Sequence, residues 1–123
     1  MNEVSQVGHY DPGEFYASHY DAVDMDTEVG ASFAHNGGNR LVTVLIYLNT
    51  VEDGGRTRFD SIKGEDGKVL EVQPIKGMAV VFFPATMDAK IDLRYLHTAL
   101  KPADGHEKWV SQIWIREQDT TYT

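Results

Sequence analysis

Glycine and proline recur along this chain at intervals too short for long helices. Pro12-Gly13, Gly37-Gly38, Gly54-Gly55, Gly64, Gly67, Gly77, Pro84, Pro102 and Gly105 divide it into brief segments. Between them lie EFYASHYDAV, RLVTVLIYLNT, KVLEVQPI, MAVVFFP and KWVSQIWIRE, all rich in β-branched and aromatic residues. RLVTVLIYL is apolar on both alternating faces, which reads as a central strand. KGEDGK, around Gly64 and Gly67, reads as a hairpin turn. No long amphipathic helix is visible. Residues 22–39 are polar, Gly-rich and without period, and read as a mobile loop. Short strands with regular turn signals predict a mainly β chain, a sandwich, barrel or jelly roll. Its 123 residues make one domain, 1–123, and a 41% hydrophobic content can fill a core.

Charge and cysteine content narrow the function. The formal net charge of −8 argues against a nucleic-acid partner, which calls for a basic stripe. With no cysteine there is neither a disulfide framework nor thiolate chemistry, so any metal must be held by His and carboxylate. No apolar run reaches membrane-spanning length, and MNEVSQVGHY has no signal-peptide core. The expectation is a cytoplasmic protein with no membrane partner; its oligomeric state is not readable.

The tripeptide HYD occurs twice, at His9-Tyr10-Asp11 and at His19-Tyr20-Asp21. With five His and nineteen acidic residues in the chain, the pattern alone is unremarkable. Asp11 precedes Pro12-Gly13, so it is expected to open a β-turn and cap it with its own side chain. The second copy has no breaker. On a strand His19 and Asp21 would project from one face, about 7 Å apart at Cα. They are either a solvated pair or two parts of a metal site. A third ligand would come from His35, His97 or His106. His35 and His106 sit in turn-like contexts, AHNGGN and ADGHEK, whereas His97 sits in RYLHTAL. Two His and one carboxylate form the facial triad of non-haem Fe(II) oxygenases, with zinc as the competing metal. In KWVSQIWIRE, alternation places Lys108, Val110, Gln112, Trp114 and Arg116 on one face. Trp109, Ser111, Ile113 and Ile115 form the other, expected to be mostly core. The cationic face is either a cavity wall, where Lys108 needs an anion, or a protected sheet edge.

Four motifs in order resemble the prolyl 4-hydroxylase family of Fe(II)- and 2-oxoglutarate-dependent dioxygenases. YDPGEFYASHYD resembles its Y-x-x-G-x-x-Y-x-x-H-x-D stretch, and GGNRLVTVLIYLNTVEDGGRTRF its G-x-R-x-x-T-x-L-x-Y-L…GG-x-T pair. KPADGHEKWVSQIWI resembles the segment after the distal iron His, so the similarity runs from about Val7 to Ile115. The resemblance implies a double-stranded β-helix, a cupin-like jelly roll, here without the N-terminal helices that relatives carry. It implies that His19, Asp21 and His97 hold Fe(II). Lys108, Thr57 and Tyr10 would bind 2-oxoglutarate, with Lys108 counted among the catalytic residues. Tyr16, Arg40, Trp114 and Arg116 would face a substrate, most naturally a proline-containing peptide or protein. The implied reaction is hydroxylation of a C–H bond, with 2-oxoglutarate and O2 converted to succinate and CO2 and ascorbate as reductant. Retention of Asp21 speaks against halogenation. Lys108 follows His97 at one residue more than the family's usual spacing, absorbed in the ADGHE turn. Arg116 stands where related hydroxylases often have a His. The alternatives are the same chemistry on another residue or small molecule, and a non-catalytic metal- or peptide-binding jelly roll.

Overall fold

The computed structural model describes residues 3–118. Its strands are β1 (Gln6–Tyr10), β2 (Tyr16–His19), β3 (Arg40–Tyr47), β4 (Thr57–Lys63), β5 (Val69–Val72), β6 (Ala79–Phe82), β7 (His97–Ala99) and β8 (Lys108–Arg116). One helix, α1 (Glu28–His35), and a 3-10 turn at Leu93–Tyr95 complete the elements. The strands make two four-stranded sheets, ordered β1-β8-β3-β6 and β2-β7-β4-β5. All named pairings are antiparallel. This is the expected jelly roll. Among the described residues no helix is long and apolar enough to cross a membrane.

RLVTVLIY is central as its composition predicts: β3 pairs with β8 on one side and β6 on the other. Thr43, Leu45 and Tyr47 point inward and are buried. Leu45, Tyr47 and Val110 form the core, with Tyr10, Val72, Met78 and Val80 packed against them. KGEDGK closes the β4–β5 hairpin, where the Gly67 N–H donates to the Gly64 carbonyl at 3.0 Å.

Three expectations need correction. Residues 22–39 are not all loop, because Glu28–His35 is helical, capped by the Thr27 hydroxyl accepting from the Gly30 N–H. On β8 the cationic face is the inner one. Lys108, Val110, Trp114 and Arg116 are buried, whereas Trp109, Ser111, Ile113 and Ile115 stay partly exposed. The strand is central, between β1 and β3, so its basic residues do not protect an edge. The turn after Asp11 exists, with Gly13 at φ 82° and the Glu14 N–H donating to the Asp11 carbonyl. The Asp11 carboxylate does not cap it. It faces His9, and the Glu14 carboxylate accepts from the Asp11 N–H instead.

Candidate metal centre

Three separate stretches bring one side chain each to a common point. β2 delivers His19 at its end, the bend beyond it delivers Asp21, and the short β7 opens on His97. His19 and His97 are cross-strand partners. The Nε2 atoms of His19 and His97 lie 3.4 and 3.3 Å from Asp21 Oδ1. The outer nitrogens are already committed: Nδ1 of His19 meets the Ala17 carbonyl at 2.7 Å, and Nδ1 of His97 the Tyr95 carbonyl at 2.9 Å. A carbonyl only accepts, so each Nδ1 carries a proton and Nε2 is the ring atom turned to Asp21 Oδ1. With Nδ1 committed to a carbonyl, Nε2 of each ring is the nitrogen available to an ion beside Asp21 Oδ1. Adjacent ligands on an ion with bonds of about 2.1 Å sit about 3.0 Å apart, close to the spacing seen. The residues therefore fit a divalent ion with the donor set of the facial triad.

Asp21 is prepared for that role. Burial alone would raise its pKa, but hydrogen bonds from His19, His97 and Thr43 and the charge of His97 outweigh it. The carboxyl is held far below the usual carboxylate range. Its second oxygen, Oδ2, accepts from the Thr43 hydroxyl at 2.7 Å and from Trp114 Nε1 at 3.1 Å. Thr43 and Trp114 are register partners on β3 and β8, so the two donors arrive together. Behind the histidines, Asp60 accepts from Ser18 next to His19, from Thr98 next to His97 and from Arg58. One carboxylate thus ties β2, β7 and β4 where the ligands emerge.

The ligands line a cavity of about 380 Å3 together with Tyr10, Thr57 and Lys108. Lys108 is 2% exposed and Nζ donates to the Gly55 carbonyl at 2.9 Å. It also lies 4.6 Å from the Tyr10 ring centroid. No carboxylate of the described residues pairs with it, and burial pulls its pKa down to about 8. A buried ammonium in that state has the chemistry to pair with an anion. The Thr57 hydroxyl is bonded to the Tyr47 hydroxyl at 2.7 Å, and burial raises the Tyr10 pKa.

Tyr16, Arg40 and Trp114 also line the cavity. Tyr16 is exposed beside His19, with ring centroids 4.1 Å apart. The Arg40 guanidinium lies 3.9 Å from the Trp114 ring centroid. Arg116, expected on the substrate side, is not among the residues lining the cavity. Its guanidinium is buried on Glu3, the Gly38 carbonyl and the Phe33 ring. It holds the chain around α1. His35 is exposed on α1, and neither it nor His106 joins the triad. Sequence reasoning missed Thr43, Tyr47 and Asp60. The available signal was a polar residue at an inward position of an otherwise apolar strand, as with Thr43 in RLVTVLIYL.

Residues 5–116 match the sequence family described as the 2OG-Fe(II) oxygenase superfamily. The chain is 36% identical over 127 residues to probable prolyl 4-hydroxylase 10 of Arabidopsis thaliana, covering 93% of this chain and 42% of that protein. It is 32% identical to a putative prolyl 4-hydroxylase of Acanthamoeba polyphaga mimivirus, covering 94% and 46%. Among solved structures, the viral collagen prolyl hydroxylase of Paramecium Bursaria Chlorella virus-1, in its 2OG complex, has a TM-score of 0.76 at 31% identity. That match covers 94% of this chain and 59% of the viral one. The chain spans less than half the length of these two curated relatives.

Proposed function

Because the chain belongs to the 2OG-Fe(II) oxygenase superfamily, we propose that it hydroxylates a C–H bond of a proline-containing peptide or protein, with 2-oxoglutarate as cosubstrate. The observation that carries the reading is a single cavity holding three converging ligand atoms and a buried lysine without a carboxylate partner among the described residues. His19, Asp21 and His97 are the residues to hold Fe(II). When bound, Fe(II) with 2-oxoglutarate and O2 supplies the oxidising power for C–H hydroxylation, yielding succinate and CO2.

The chain's own residues do the rest. Lys108 pairs with the distal carboxylate of the cosubstrate, and Thr57, oriented by Tyr47, donates beside it. Tyr10 closes the wall over Lys108. Thr43 and Trp114 hold Asp21 Oδ2, leaving Oδ1 to the ligand set. Tyr16, Arg40 and Trp114 form the substrate wall, where an exposed ring next to His19 suits a pyrrolidine. The prolyl 4-hydroxylase relatives support the choice of proline. Ascorbate is the proposed reductant that keeps iron ferrous.

The test is incubation with Fe(II), 2-oxoglutarate, ascorbate and a panel of proline-rich peptides. The expected result is succinate that depends on peptide, with peptide mass rising by one oxygen on proline. Turnover that places oxygen elsewhere would remove proline from the proposal. No succinate from folded protein with any peptide would remove the enzyme reading.

A further inference from the structure

The triad accounts for His19 and Asp21 of the second HYD and leaves His9 and Asp11 of the first unused. That first copy has a geometry of its own. His9, Asp11 and Glu107 bring three ligand atoms within 4.8 Å of one another on the outer surface. His9 Nε2 lies 3.0 Å from Glu107 Oε2 and 3.4 Å from Asp11 Oδ1. Each residue is placed by a different contact. The His9 ring stacks on Trp109, with centroids 4.0 Å apart and planes 15° from parallel, which fixes where Nε2 points. The Asp11 backbone is set by the turn, its carbonyl accepting from the Glu14 N–H and its N–H donating to the Glu14 carboxylate. Glu107 is fixed through its backbone, because Asn49 donates to the Glu107 carbonyl at 2.8 Å and accepts from the Trp109 N–H at 2.7 Å.

We propose that His9, Asp11 and Glu107 form a second divalent-cation site, taking a borderline transition ion such as Zn2+ rather than Mg2+ or Ca2+. The choice of ion follows from the donors. An imidazole nitrogen with two carboxylates suits zinc-class ions, whereas magnesium and calcium call for oxygen ligands. The site is independent of the triad and does not rest on the dioxygenase reading. Its position has a consequence. On β1 and β8 the register pairs His9 with Trp109 and Tyr10 with Lys108. An ion bound outside would tie together the two strand ends whose intervening residues, Tyr10 and Lys108, face the cavity.

The test is calorimetric titration of the full chain with Zn2+, in wild type and in the single variants D11N, E107Q and H19A. Two sites are expected in wild type. H19A should lose one, and D11N and E107Q should each weaken the other by at least about tenfold. D11N and E107Q preserve shape at exposed positions, so folding is checked by unchanged far-UV circular dichroism. Ni2+ quenching in the H19A background provides a second readout, since a paramagnetic ion at His9 sits against Trp109. Quenching should be saturable and should be lost when E107Q is added. A single Zn2+ site in wild type, abolished by H19A, would overturn the proposal. So would a second site indifferent to both D11N and E107Q.

Discussion

The two oxygens of Asp21 face different neighbours, and that difference decides how it can bind. Oδ1 faces both histidines, while Oδ2 is occupied by Thr43 and Trp114. Thr43→Val and Trp114→Phe each remove one donor and free the carboxylate to rotate. Each should weaken Fe(II) affinity by about tenfold or more, measured by competition with a chelator. Lys108 gives a second prediction, in pH. Burial lowers its pKa to about 8, and only the ammonium pairs with a carboxylate. Below that value the group is charged and 2-oxoglutarate affinity should be flat. Above it, affinity should fall by about tenfold per pH unit, because proton uptake must accompany binding. Lys108→Arg keeps its charge and should abolish this decline; a wild-type curve flat to pH 10 would contradict the assignment. Of these residues, alternation placed Lys108 on a face that read as either a cavity wall or a protected edge, and the resemblance chose the former. The turn signal after Asp11 set the first HYD apart, but the pattern left His19 and Asp21 open between a solvated pair and a metal site until the resemblance decided it. Thr43 escaped because its partner is a carboxylate from a segment 22 residues away.

At the scale of elements, strands were legible where alternation ran long, as in β3 and β8. β7 has only three residues and no period to detect. β4 mixes Arg, Asp and Lys with Phe and Ile, and its Asp60 is turned to neighbouring strands rather than to solvent. The helix was missed because EVGASFAH is short and carries Gly30 in its first turn, although Thr27 and Glu28 form a start signal. Gly30 is there for contact rather than propensity. A Cβ at that position would lie 2.4 Å from the Asp24 carbonyl oxygen and from Met25 Cα, both backbone. Gly→Ala in a helix ordinarily stabilises by about 1 kcal/mol; Gly30→Ala should instead destabilise, by about 1–3 kcal/mol. Asn39 anchors the other end of this segment. Fully buried, it bonds Val23 through both its amide and carbonyl atoms and donates to the Ala89 carbonyl. Asn39→Ala strands those groups and should cost about 2–3 kcal/mol in urea denaturation.

The whole molecule is two facing sheets with the candidate site between them, assembled from strands distant in sequence. β1, β3 and β8 supply Tyr10, Thr43, Trp114 and Lys108, and the opposing sheet supplies His19, Thr57 and His97. That division explains why the fold class was readable from turns and runs while the site was not. Its members meet only after both sheets close, and no local pattern encodes the meeting. The central claim is that the two sheets jointly hold Fe(II) and 2-oxoglutarate. The most direct measurement is an anaerobic titration with Fe(II) and then 2-oxoglutarate, followed by visible absorption. A charge-transfer band should appear only with both present, vanish in His19→Ala, and require far more 2-oxoglutarate in Lys108→Ala. A folded wild-type protein that gives no band, or a band unchanged in His19→Ala, would contradict the account.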